Sequence, residues 1–313
     1  MLLRGRVAAV LVAAAIGVAA ATAGAYVPHA IRLAGVEVGD IATPIAGITL
    51  VEHGQSPYSV RLRGSTPSLY PFTAMIALWP LHALPLRAIA PAFIGIGAFA
   101  LAFAILRNGE MWQLLIFFSP AYWSSVQAVQ WAPILTAAIL LPPLLPLALI
   151  KPQLGVVLAA CGRWSRRTIA ATAAFLILSL IVWPRWPIEW LRHGNLRTFN
   201  GYAPVMIVPG IVLLFAAFAW RTREGRLLLA MAVVVQRYFY DQLPLYLVAR
   251  TWRQMVLLLL TSWGMVATVF SLHWLDLATG IQRKDIWIAV VIAVFLPALG
   301  LVLYNAFRRD ATS

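Results

Sequence analysis

Long apolar runs recur from one end of this chain to the other, and they constrain its fold more than any other feature. The first is VAAVLVAAAIGVAAATAGAYV (7–27) and the last WIAVVIAVFLPALGLVLYNAF (287–307). Apolar residues make up 62% of the 313 and charged residues only 11%. A soluble domain is nearer half apolar and a quarter charged, so these runs are read as membrane-crossing. About 20 mainly apolar residues cross the hydrocarbon core, and a helix satisfies its own backbone there. The strands of an outer-membrane barrel would alternate apolar and polar residues, and no such alternation is present.

The expected fold is therefore an all-α integral membrane protein, one multi-pass domain over 1–313. Apolar segments fall near 7–27, 70–85, 87–106, 111–125, 132–150, 153–162, 168–183, 204–220, 227–250, 255–272 and 286–307. They predict a bundle of about eight to ten transmembrane helices, several of them short or broken. Segment 153–162, for example, makes only ~15 Å of helix. Prolines interrupt many of the others, an arrangement tolerated at membrane depth where a helix lines a protein-walled cavity.

Charge orients the bundle. The net charge is +14, and all but Lys151 and Lys284 of the 24 basic residues are arginine. A nucleic-acid binder would gather such charge on a polar surface. Here it sits at the ends of apolar runs, where it sets orientation and meets anionic headgroups. Arg4 and Arg6 place the N-terminus in the cytoplasm, with the first run an uncleaved helix rather than a signal peptide. Arg163, Arg166 and Arg167, then Arg221, Arg223 and Arg226, mark cytoplasmic turns, and Arg308 with Arg309 a cytoplasmic C-terminus. Residues 28–69 become the first extracytoplasmic loop and 184–203 the second, the latter flanked by Trp183, Trp186 and Trp190 as an interfacial belt. The arginine bias points to a GC-rich bacterial genome, hence a bacterial cytoplasmic membrane. Cys161, the only cysteine, excludes an intramolecular disulfide and a Cys-rich metal site.

Several residues carry candidate chemistry. In the first outer loop, Ile41, Ile45, Ile48 and Val51 recur at near-helical spacing and predict an amphipathic helix lying at the interface. Asp40 stands just before it, as a helix cap in the plain reading. Lys151 lies inside an apolar stretch, where a lysine marks a functional site unless its stem snorkels to the interface. Arg237 and Asp241 are four apart: on a continuous helix they share a face and form an ion pair, and alternatively RYFYDQ is a break between two short helices, where the pair meets a ligand's phosphate and sugar hydroxyls. His53 and His193 fall in the outer loops, where solvated histidines are common. No Asp-x-Asp, glycine-rich phosphate loop or HExxH sequence occurs, which excludes the soluble nucleotide-sugar transferases and zinc hydrolases that use them.

The order of short motifs adds a resemblance. Asp40 leads a mostly apolar stretch ending in Gly54-Gln55-Ser56-Pro57-Tyr58; Leu69-Tyr70-Pro71 then opens a span, followed by Pro80-Leu81 and Leu84-Pro85. Gln127 or Gln130, Lys151-Pro152-Gln153, a basic turn at 163–167 and Tyr240-Asp241 come after. This order resembles the polyprenol-phosphate-mannose-dependent mannosyltransferases, a branch of the GT-C superfamily, over about two-thirds of the chain. Phe72 stands where that pattern has a second proline.

The resemblance implies a membrane glycosyltransferase acting on the extracytoplasmic side, moving a sugar from a polyprenyl-phosphate donor with inversion. Asp40 matches the general base, with Glu52 and Glu189 as the other outer carboxylates able to serve. Arg61, Arg63, Lys151 and Arg237 are candidates for the donor phosphate. His53, Gln55, Tyr58, Tyr70, Gln130, Gln153, Tyr240 and Asp241 are candidates for binding substrate. Expected partners are a lipid-linked sugar donor, a glycolipid or glycan acceptor and membrane lipids, with no nucleic acid; no cofactor is expected and metal dependence stays open. A transporter or lipid flippase, and a non-catalytic relative of the same fold, are the alternatives.

Overall fold

The computed structural model describes residues 2–29, 31–60, 70–108, 110–193, 201–236, 238–273 and 284–310. The fold is all-α, with one two-stranded hairpin. Its elements run α1 (Leu2–Tyr26), β1 (Arg32–Leu33), β2 (Val36–Glu37), α2 (Ala42–Glu52), α3 (Phe72–His82), α4 (Leu86–Asn108), α5 (Pro120–Ala128), α6 (Ala132–Leu140), α7 (Pro152–Cys161), α8 (Arg166–Val182), α9 (Trp186–His193), α10 (Arg223–Val233), α11 (Trp252–His273), α12 (Lys284–Val290) and α13 (Leu296–Asp310). Tighter 3-10 helices cover Met111–Phe118, Pro142–Leu149, Gly210–Ala219 and Phe239–Val248. At ~2.0 Å rise per residue these reach farther than α-helices of equal length.

Local sequence accounts for most boundaries. Pro120 and Pro152 open α5 and α7, where a missing N–H costs nothing. Ser119 caps α5, its hydroxyl accepting from the Tyr122 amide at 3.1 Å. Ser165 and Thr168 form a reciprocal capping pair at the start of α8. Pro184 ends α8, and α9 leaves at 83°. A single π-turn, Val291–Phe295, joins α12 to α13 immediately before Pro297, which has no N–H to continue an α ladder.

Among the described residues three helices are long and apolar enough to cross a membrane: Val7–Tyr26, Leu86–Asn108 and Ile286–Arg308. The bent α8–α9 pair makes a fourth if counted as one span. The expected count of eight to ten treats shorter apolar segments as crossings too, among them Phe72–His82, Pro152–Cys161 and Gly210–Ala219.

The chain divides into two compact units. The first comprises residues 1–108, 125–155 and 163–199. Here α1 lies along α4, and the backbones approach closely at Gly17 and Gly95, where an added Cβ on either would come 3.0 Å from the other's carbonyl oxygen. The helix expected at the outer surface forms as α2, but its position is a correction. Residues 41–45, Gly47 and Ile48 are buried, and only the last turn is exposed. ATPIAGITLV carries no charged residue before Glu52, so α2 has no polar face to float on and packs against α3 instead.

The second unit comprises residues 109–124, 156–162 and 200–313. Its core gathers Phe239, Tyr246, Trp287 and Phe295, and the Tyr246 hydroxyl donates to Ser262 Oγ at 2.7 Å. Arg250 grips Glu224 at the start of α10, Nη2 donating to Oε2 at 3.0 Å and Nε to Oε1 at 3.3 Å. Burial, the largest single influence, pushes the Glu224 carboxyl up, but the Arg250 hydrogen bond, a backbone hydrogen bond and the charges of Arg250 and Arg223 together outweigh it and hold the group below its ordinary range. The folded chain thus binds this proton less readily than the unfolded chain. The stabilisation is present above the unfolded value of ~4.3 and is lost as pH falls through the lower folded value. Glu224→Gln is expected to lower the thermal midpoint at neutral pH and to flatten its fall between about pH 5 and pH 3. Melts of detergent-solubilised protein check this, and an unchanged acid slope refutes it.

Candidate functional site

Three of the residues singled out above meet at a fourth, Gln130, in the first unit, although the sequence spreads the four from position 40 to 151. Gln130 is the hub, and it is 3% exposed. Its Oε1 accepts from the Tyr70 hydroxyl at 3.1 Å and from Lys151 Nζ at 3.2 Å. Its Nε2 donates to Asp40 Oδ2 in a short hydrogen bond. Two donors on one side and a carboxylate on the other leave a single sensible orientation for the amide. Lys151, 5% exposed, is thereby linked through one neutral amide to a carboxylate, which compensates a buried cation.

The backbone explains how Gln130 arrives. The α5 helix ends at Ala128, the Gln130 amide donates back to Ser125 O at 2.9 Å and the Val129 amide to Val126 O at 3.2 Å. These two bonds form a Schellman turn, whose left-handed position usually holds glycine. Here that position is Val129, with φ of 55°. A β-branched residue in that region carries strain on the order of 1–3 kcal/mol, and such strain collects at functional sites.

Gly39 seats against this turn. A Cβ at Gly39 would meet Val129 Cγ2 at 2.5 Å and Ala128 O at 2.9 Å, and its φ is 68°. Only glycine allows that approach, and the approach carries Asp40 to Gln130. Asp40 sits in the 3-10 turn Gly39–Ile41, half-buried. The plain reading of Asp40 as cap of α2 is corrected: Ile41 occupies that cap position, with no side-chain cap bond. Lys151 stands between the proline-rich 3-10 helix Pro142–Leu149 and Pro152, at the turn where α7 begins.

The other outer-loop residues do different work. His53 is exposed, and its Nδ1 lies 2.7 Å from the Thr49 carbonyl at the end of its own helix. Glu52 pairs with His82 at 3.6 Å. Glu189 Oε2 accepts from Ser56 Oγ at 2.6 Å and Trp183 Nε1 at 3.0 Å, so this carboxylate ties the Gly54–Tyr58 turn to α9. Tyr58 is buried beside that turn; burial raises its hydroxyl above its ordinary range, and the charge of Glu189 adds to the effect. Gln153 is half-buried on α7.

Tyr240 and Asp241 belong to the second unit. Both are buried in the 3-10 helix Phe239–Val248, and Tyr240 stacks on Tyr238 at 5.1 Å. Arg61, Arg63 and Arg237 lie outside the described residues, as does the side chain of His193.

A cavity of about 620 Å³ opens on the exposed side of α2, within the size range of ligand pockets. Its walls are mostly apolar, with Leu33, Ile45, Leu50, Leu84 and Ile89, and Gln55 joins them at the turn after α2. Sequence reasoning missed His29, which braces the α5 turn, and the Gly39–Val129 contact that brings the site together. A proline following a helix end at Pro28 was the available signal for the first. Compared with known family models, curated proteins and solved structures, the chain matches none.

Proposed function

We propose that this protein is a membrane glycosyltransferase that moves a sugar from a polyprenyl-phosphate donor to an acceptor hydroxyl with inversion. The observation that carries the reading is the convergence of Asp40, Tyr70 and Lys151 on the amide of Gln130. These are four residues that the resemblance separately assigns to the site. Pairing by itself is what any buried polar group needs; what supports the reading is that these partners are the ones that the motif order separately selects.

The chemistry follows from the groups present. Asp40 is a half-buried carboxylate held by Gln130 through one oxygen. It takes the proton of the acceptor hydroxyl as that oxygen bonds to the sugar C1. The bond from C1 to the phosphate oxygen breaks on the opposite face, and polyprenyl phosphate leaves with the electron pair. The Lys151 ammonium supplies positive potential in a site shielded from water, where it favours the developing phosphate charge. Gln130 joins the two charged groups, accepting from Lys151 and Tyr70 and donating to Asp40. The apolar cavity beside α2 takes the isoprenoid chain. On this reading the shorter apolar helices join the long ones in a bundle of eight to ten crossings of a bacterial cytoplasmic membrane. The N-terminus is cytoplasmic, and the site is extracytoplasmic.

Sidedness is the test. With Cys161→Ala as background, His53→Cys provides one exposed thiol at the end of α2. It is expected to react with a membrane-impermeant maleimide in intact cells, and the same membranes to transfer sugar from a synthetic polyprenyl-phosphate donor. Labelling only after permeabilisation puts Asp40 on the cytoplasmic side and ends the proposal.

A further inference from the structure

His29 has both ring nitrogens against backbone carbonyl oxygens. Nδ1 lies 2.8 Å from Gln127 O, and Nε2 lies 3.0 Å from Gly24 O. A carbonyl has no hydrogen to give, and a neutral imidazole has one donor and one acceptor. In the neutral ring one nitrogen lone pair would therefore face an oxygen lone pair. Only the doubly protonated ring donates at both ends.

Gly24 is in the last turn of α1, and the residue four positions on is Pro28, which has no N–H to offer its carbonyl. Gln127 is in the last turn of α5, just before the Schellman turn. Both oxygens sit at helix C-terminal ends, whose partial negative charge favours a cation.

The surroundings supply a counter-charge. Glu37 Oε2 accepts from the His29 backbone amide at 3.0 Å, while its Oε1 pairs with Arg32 at 2.5 Å. The His29 amide and Arg32 together hold the Glu37 carboxyl below its ordinary range. The last turn of α1 and all of α5 carry no charged residue, and α4 contributes Ile94 beside Gly24. Asp40 and Lys151 are the charged groups at the Gln130 side of the α5 turn. His29 itself is 6% exposed.

We propose that His29 is a protonated clamp: its imidazolium joins the end of α1 to the end of α5 and so positions the turn that presents Gln130 to Asp40. The protonated ring holds two carbonyls and the neutral ring one. The brace behind Gln130 is therefore complete only with a hydrogen on both ring nitrogens. This role does not depend on the reaction proposed above, because it concerns the ring and the two helix ends alone.

The test uses the full-length protein in detergent micelles. First, ring nitrogen chemical shifts are recorded on ¹⁵N-histidine-labelled protein, with His29 assigned by its disappearance in His29→Gln. Two protonated nitrogens at neutral pH are expected, and a neutral tautomer there overturns the proposal. Second, the melting midpoints of wild type and His29→Gln are compared at one neutral pH. A fall of about 3–8 °C in the variant is expected, because the contacts to the two helix-end carbonyls are lost. An unchanged midpoint means that the ring clamps nothing. If the variant does not fold, the nitrogen shifts of the wild type decide alone, read against the other four single His→Gln variants.

Discussion

Replacing Asp40 with asparagine is expected to slow sugar transfer by ~10²–10⁴-fold, the usual contribution of a general base, and to lower the melting midpoint, because buried Lys151 loses the carboxylate that compensates it. The substitution keeps an oxygen able to accept the Gln130 amide hydrogen, and the site is half-buried rather than sealed. What disappears is basicity, because a neutral amide cannot take the acceptor's proton. The loss should fall on kcat with the donor KM little changed, since the interaction matters only as the hydroxyl attacks. Purified wild type and variant, given saturating lipid-linked donor and a hydroxyl acceptor, provide the comparison. Transfer within a few-fold of wild type removes Asp40 from the chemistry and returns it to a structural role beside Gln130.

Gln130→Leu acts on all three partners at once. Leucine fills nearly the same volume but takes one partner each from Asp40, Tyr70 and Lys151. Asp40 and Tyr70 are half-buried and turn to water at little cost, whereas Lys151 is buried. Withdrawing a hydrogen-bond partner from a buried polar group costs about 1–3 kcal/mol, so this variant should melt several degrees lower. Transfer should fall as well, because the base and the ammonium lose the side chain that bonds to both. Combining both substitutions adds a sharper reading. If Asp40 and Gln130 act as one unit, the double variant transfers no more slowly than the worse single variant. Independent effects would multiply instead and would dissolve the site into separate contacts.

The legible and the illegible parts of this chain divide along a physical line. Asp40, Tyr70, Gln130 and Lys151 were each visible because a polar residue in an apolar sequence is conspicuous, and motif order ranked them. Their meeting was not visible, because it depends on Gly39 seating against the left-handed turn at Val129. Nothing local marks a valine for that conformation, which glycine usually fills. Periodicity found α2 and its buried stripe at Ile41, Ile45 and Ile48, but placed the helix at a surface. Apolar spacing says which side is buried and is silent on what covers the rest. Glu189 read as a spare carboxylate, yet Ser56 and Trp183 hold it in place. Of the prolines read as breaks, Pro120 and Pro152 open helices, but Pro80 and Pro91 lie inside α3 and α4. The 83° bend between α8 and α9 falls at Pro184, which was not among them.

By itself the sequence determined an all-α chain with helices fit for a membrane, the places where those helices stop, and the short roster of polar residues from which a site can be drawn. Those properties are local: hydropathy sums along a run, and a proline acts within one turn of itself. Only the tertiary structure decided that Gln130 joins Asp40, Tyr70 and Lys151, that α2 is buried, and that His29 spans two helix ends. Such partnerships depend on loops closing over long separations. In an apolar interior each buried polar group must find whichever partner the packing brings within about 3 Å.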